Sequence, residues 1–66
     1  MIDRYSYKVQ FSEEEKKYIG ICEEFPHIVH VNKDSTHALT GIKNLIKHVV
    51  SNILDAGDTI PRPLKA

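Results

Sequence analysis

The stretch DSTHALTGIKNLIKHVVSNILDAG, from Asp34 to Gly57, decides how this chain folds. Its apolar residues recur at spacings of three and four, which is the period of a helix with one buried face. They are Ala38, Leu39, Ile42, Leu45, Ile46, Val49, Val50, Ile53 and Leu54. Asp34 or Ser35 stands where an N-cap side chain would accept a hydrogen bond, and Gly57 stands where a left-handed C-terminal residue belongs. The pattern predicts a helix over residues 35–56, roughly 33 Å long at 1.5 Å per residue.

The segment before this helix has the pattern of β-strands. Residues 5–11 alternate large apolar side chains with Ser, Lys and Gln, which is the period of a half-buried strand. Its predicted inner face consists of Tyr5, Tyr7, Val9 and Phe11. Residues 12–17 predict an exposed hairpin loop of about four or five residues, because they lack the Gly and Asn of tight turns. Residues 18–23 and residues 28–31 predict two further strands.

The residues after Gly57 predict one more short element. Thr59 and Ile60 fit a short fourth strand at the sheet edge, which must end at Pro61 because proline cannot donate to a strand ladder. The expected fold is therefore α+β: a three-stranded antiparallel meander, one long helix on one of its faces and a short fourth edge strand. We expect a single domain over residues 1–66, since the chain is about half the usual domain size.

The amino-acid composition and the distribution of charge limit the classes of function that fit this chain. Nine basic residues balance nine acidic ones, which speaks against a chain that coats nucleic acid or an anionic membrane. Residues 1–34 carry seven acids and five bases, whereas residues 35–66 carry two acids and four bases, so the first part is the more acidic. No apolar run approaches the length of a membrane span and no signal peptide is evident, so we expect a cytoplasmic protein.

The predicted helix is longer than the predicted strands, which suggests self-association. A seven-residue strand reaches about 23 Å, so the helix would extend past the sheet by about 10 Å. We expect a homodimer or tetramer with the helix end or the fourth strand at the subunit contact. The residues concerned are Ile53, Leu54, Thr59 and Ile60. Gly41, inside the helix, has two interpretations: close packing against the sheet, or close approach of a second helix.

The order of these elements resembles the HicB family of antitoxins, from the HicA–HicB type II toxin–antitoxin modules. The resemblance rests on an N-terminal Tyr-x-Tyr-x-Val strand, the segment YIGICEEFP from Tyr18 to Pro26, the capped helix, the Gly57 stop and the closing IPRP from Ile60. It implies a partial ribonuclease-H-like fold of order ββ-β-α-β. It also implies a partner, a HicA-type mRNA interferase, which is a small basic ribonuclease.

The sequence departs from the family pattern in three places, of which two affect turn geometry and the third bears on function. His27 follows Pro26 where many relatives have Gly, and Asn32 stands where many have Gly before the helix cap. Many relatives also continue past the Pro-x-Pro segment into a DNA-binding part, whereas this sequence ends at Ala66. We therefore expect no direct DNA binding by this chain. The alternative is that it is the oligomerisation half of a HicB-type transcriptional regulator.

We predict no catalytic, cofactor-binding or metal-binding residues. Two-metal nuclease chemistry needs several converging carboxylates, and residues 5–11 contain none. His27 and His30 lack the paired spacing of zinc ligands, and Cys22 is a single cysteine that fits a core position.

The candidate partner-binding residues are acidic. They are Glu13, Glu14, Glu15, Glu23 and Glu24. The loop glutamates also fit an ordinary solvated turn. As a binding surface, the five would meet the basic face of a ribonuclease and speed its association.

Overall fold

A computed structural model, which describes residues 4–64, contains three strands followed by one helix. The strands are β1 (Tyr7–Ser12), β2 (Lys17–Cys22) and β3 (Val29–Asn32), and the helix is α1 (Ser35–Asp55). The sheet has the order β1-β2-β3 with both pairs antiparallel, so β2 is central and both other strands are edges. The predicted α+β meander is confirmed, and its strand boundaries differ from the prediction by one or two residues.

The predicted fourth strand is wrong. Residues 58–63, which include Thr59 and Ile60, have no regular secondary structure. Pro61 and Pro63 have no N–H groups, so this segment cannot supply a regular ladder. It is held by isolated contacts instead: the Tyr5 hydroxyl donates to the Pro61 carbonyl at 2.7 Å, and Ile60 packs against the core.

Capping hydrogen bonds determine where α1 begins and ends. Asp34 is the N-cap, and its carboxylate accepts from the His37 N–H at 2.9 Å. At the other end Gly57 has a φ of 81°, and its N–H donates to the Leu54 carbonyl at 3.0 Å. Asp58 N–H donates to the Ile53 carbonyl at 3.1 Å, which completes a Schellman motif. No helix in residues 4–64 is long and apolar enough to cross a membrane.

Two glycines let α1 lie directly on the sheet. A Cβ at Gly20 of β2 would collide with the Ala38 carbonyl oxygen and with Ile42. A Cβ at Gly41 of α1 would collide with the His30 ring of β3. Of the two interpretations of Gly41, close packing against the sheet is therefore the one observed. Since Gly20 and His30 face the helix, the residues beside them in each strand face away from it.

The core lies between α1 and the sheet, and it continues past the end of the strands. Its buried side chains are Tyr5, Cys22, Phe25, Ile42, Ile46 and Val50. Tyr5 and Phe25 meet edge to face, with ring centroids 5.7 Å apart. Ile53 and Ile60 are partly buried against this core, so the residues after Gly57 cover part of the helix end that we expected a partner to cover.

Candidate functional site

The β1–β2 hairpin presents a short ordered loop. Glu13 to Lys16 form the turn, which confirms the predicted length of four or five residues. Lys16 takes a left-handed conformation with φ of 56°, and its N–H donates to the Ser12 carbonyl at 2.8 Å. The Ser12 hydroxyl accepts from the Glu15 N–H at 3.3 Å. These local bonds give the loop a defined shape, and neither of them involves a glutamate side chain.

The loop glutamates point into solvent. Glu13, Glu14 and Glu15 are all exposed. Among residues 4–64, the one ion pair that involves them joins Glu13 to Lys16 at 3.8 Å, with both side chains at least three-quarters exposed. Such a pair contributes little to stability because water and salt screen it. The carboxylates are therefore free to interact with a partner.

An aromatic pair lies directly beside this loop. Phe11 and Tyr18 are opposite each other in the β1–β2 ladder, and their rings meet edge to face at 5.1 Å. Phe11 lies on the helix side of the sheet, as predicted for the inner face, but it is 46% exposed because the core lies toward the other end of the strands. We call Phe11, Glu13, Glu14, Glu15 and Tyr18 the hairpin end.

Glu24 is not part of an acidic surface, which corrects the sequence prediction. It is only 8% exposed, and its carboxylate accepts from the Ser6 N–H at 2.8 Å, the Leu64 N–H at 2.9 Å and the Cys22 thiol at 3.5 Å. Burial alone would raise its pKa, but the hydrogen bonds from Leu64, Ser6 and Cys22 outweigh burial and hold the pKa below its ordinary value. We call these four residues the Glu24 cluster.

The structure also separates the two acidic groups. Glu23 directly follows the last residue of β2 and is half-buried, whereas the loop glutamates precede the first residue of that strand. Six residues of strand span about 20 Å, so Glu23 and the loop carboxylates do not form one continuous surface.

The histidines and the cysteine have packing or capping positions. His30 lies against Gly41, and His37 Nδ1 lies 3.3 Å from the carboxylate of the N-cap Asp34. Cys22 is fully buried, and burial raises the pKa of its thiol. In the part of the chain that the structure describes, no three His, Cys, Asp or Glu side chains are arranged to hold a metal ion.

The predicted oligomer contacts divide into two groups. Ile53 and Ile60 pack against the core of their own chain, while Leu54 is 54% exposed and Thr59 is exposed. Sequence reasoning missed the Glu24 cluster, since its donors come from near both ends of the chain. It also missed the exposure of the Phe11 side chain, although the run of charged residues that follows Phe11 could have indicated it.

Comparison with known proteins adds no relative. The chain matches no protein-family model, no curated protein and no solved structure.

Proposed function

We propose that this chain is an antitoxin-like binding module of the HicB type. It would neutralise a HicA-type mRNA interferase in the cytoplasm by covering the surface with which that ribonuclease binds and cleaves RNA. The support comes from the resemblance in sequence, from an element order β-β-β-α that matches the first four of the five elements of the implied fold, and above all from the hairpin end. There, three exposed carboxylates adjoin a half-exposed phenylalanine.

The two kinds of side chain at the hairpin end have different tasks in this proposal. A ribonuclease must present a basic face to phosphate, so Glu13, Glu14 and Glu15 can attract that face and compete with RNA. Charges at the rim of an interface mainly set the association rate, while apolar groups at its centre set the lifetime of the complex. Phe11, supported by Tyr18, is the apolar group that would enter a pocket on the toxin.

Co-expression tests neutralisation directly. The chain is expressed at equal level with a HicA-type ribonuclease, which the proposal expects to be encoded beside its gene, and cell growth is followed. Restored growth and co-purification of the two proteins are expected. Undiminished toxicity at equal expression would overturn the proposal.

Charge reversal tests the mechanism. The triple variant Glu13→Lys, Glu14→Lys, Glu15→Lys should associate at least about tenfold more slowly at low salt and lose most of the salt dependence, because steering by opposite charge is removed. Stopped-flow or surface plasmon resonance measures both rates. The triple Glu→Gln variant at the same positions should have an intermediate association rate.

Phe11→Ala is the complementary variant. It should leave association nearly unchanged and speed dissociation by about tenfold, as expected for truncation of an apolar anchor. Leu54→Ala, which truncates an exposed apolar side chain at the end of α1, is the matched control and should change neither rate. If the reversed loop neutralises at the wild-type rate, the hairpin end is not the contact surface.

A further inference from the structure

The two edges of the sheet differ in how well they are protected against pairing. β3 pairs with β2 on one side, and no other strand of residues 4–64 lies on its outer side. β1 is also an edge, but it places Lys8 on the face away from the helix, and an edge lysine discourages pairing with another strand. β3 contains no Lys, Arg, Asp, Glu or Pro. β3 is short, which itself limits pairing, but no charged residue or proline within it protects its outer backbone groups.

An apolar strip runs up to this unprotected edge. Val29 and Val31 lie on the face away from α1 and are 47% and 39% exposed. In the ladder they are opposite Ile21 and Ile19 of β2, which are half-exposed. Four β-branched aliphatic side chains thus form one continuous strip on the open face of the sheet. On the β1 side the strip ends at Lys8 and Gln10. On the β3 side the strip reaches the edge of the sheet at Val29 and Val31, as the sheet is described for residues 4–64.

From Gly41 to Asn52, the flank of α1 above β3 carries no charged residue, and Asp55 at the helix end is the first one beyond it. Gly41 defines this flank, because it lies against the His30 ring of β3. Leu45, His48 and Asn52 follow Gly41 on the same flank, at successive spacings of four, three and four residues. None of these is Lys, Arg, Asp or Glu, although such residues make up 27% of the chain. Lys43 lies on the opposite flank, over the Tyr7 ring of β1 at 5.7 Å. Depletion of charge is typical of the centre of a protein interface.

We propose that this side of the molecule, formed by the edge of β3 and the flank of α1 above it, binds a second copy of the chain. β3 of one copy pairs antiparallel with β3 of the other across a two-fold axis, which gives a continuous six-stranded sheet. An antiparallel edge is self-complementary in its hydrogen bonds, and the two-fold axis joins the Val29–Val31 strips of both copies. A strongly charged partner would find no opposite charge on this surface, whereas an identical uncharged flank fits it.

The helices are compatible with this arrangement. α1 packs mainly over β2 and β3, so at normal strand spacing the two copies of α1 lie about 10 Å apart, which is a usual distance between packed helices. The hairpin end stays free in such a dimer, so this inference does not depend on the proposed function.

Single substitutions in one row of the sheet test the inference. Gln10, Ile19 and Val31 are aligned across β1, β2 and β3, so Gln10→Lys is the matched control for Val31→Lys. Light scattering is recorded from about 10 to 200 μM, since dimerisation follows mass action. We expect twice the chain mass for the wild type and for Gln10→Lys, and the single chain mass for Val31→Lys.

Hydrogen exchange on the wild type gives an answer that does not depend on the folding of a variant. Protection of amides in Val29–Asn32 should rise with protein concentration, while protection in Tyr7–Ser12 should not. A wild-type monomer throughout the concentration range would overturn the inference. So would a dimer that Leu54→Glu dissociates and Val31→Lys leaves intact, because that result places the contact at the helix end.

Discussion

Gly20 shows how one missing side chain sets the distance between helix and sheet. It lies in the middle of the central strand, where a Cβ would meet the Ala38 carbonyl oxygen and would come within 2.9 Å of Ile42 Cγ2. The backbone oxygen of a helix cannot move aside as a flexible side chain can. Any larger residue at this position must therefore push α1 away from β2 and open the core around Ile42.

We expect Gly20→Ala to lower the free energy of unfolding by about 1–3 kcal/mol, the usual cost of inserting a group into a packed core. Urea denaturation at one fixed protein concentration measures the change. Gly57→Ala is the comparison: its Cβ meets nothing within 4 Å, but its φ of 81° costs about 1 kcal/mol in an L-residue. An unchanged midpoint for Gly20→Ala would contradict this account of the packing.

At the scale of elements, α1 was predictable because its signals are local. The three-and-four spacing, the Asp34 cap and the Gly57 stop all lie within the helix or next to it, so neighbouring residues suffice to define them. The structure places its end at Asp55, one residue before the prediction. The Thr59–Ile60 segment has β-propensity, but Pro61 and Pro63 prevent a regular ladder, so its local pattern was misleading.

The N-cap of α1 gives a prediction at this scale. Asp34→Ala removes the acceptor for the His37 N–H and should lower the free energy of unfolding by about 1 kcal/mol, which in a domain of this size is about 4–8 °C in Tm. Far-UV circular dichroism during thermal unfolding measures it. Asp34→Asn keeps an acceptor and should retain most of the stability. If Asn destabilises as much as Ala, the charge of Asp34 is the important property and not its capping bond.

At the scale of the whole molecule, the contacts that sequence could not predict join distant parts of the chain. The Glu24 cluster links Ser6, at the start of the sheet, to Leu64, near the end of the described chain. No periodicity indicates such a link, because it depends on where the irregular segment after Gly57 returns to the fold. The sequence pattern indicated an acidic residue at a strand end, and only the fold distinguishes a buried acceptor from a surface charge.

As the pH is lowered, the hydrogen bonds of Glu24 to Ser6 and Leu64 should weaken before the rest of the molecule unfolds. The pKa of Glu24 is lower in the folded chain than its usual 4.5, so the folded state favours the carboxylate over the protonated acid. Its stabilisation is therefore fully present above pH 4.5 and is lost as the pH falls through the lower, folded-state pKa. Protonation removes the negative charge of a group that accepts from three donors, so those hydrogen bonds lose their charge-assisted strength.

The variant Glu24→Gln tests this pH dependence, because glutamine has nearly the same shape as glutamate but does not titrate. Glutamine has one acceptor oxygen and an NH₂ group, so it leaves a donor of Ser6, Leu64 or Cys22 without an acceptor, at a cost of about 1–3 kcal/mol at neutral pH. Urea denaturation from about pH 7 to pH 3 should show a smaller acid-dependent loss of stability for Glu24→Gln than for the wild type, because its titrating group is gone. Glu14→Gln removes a carboxylate from the exposed loop and should retain the wild-type pH dependence. Equal pH dependence in Glu24→Gln and the wild type would mean that the Glu24 cluster does not couple the two ends of the chain to protonation.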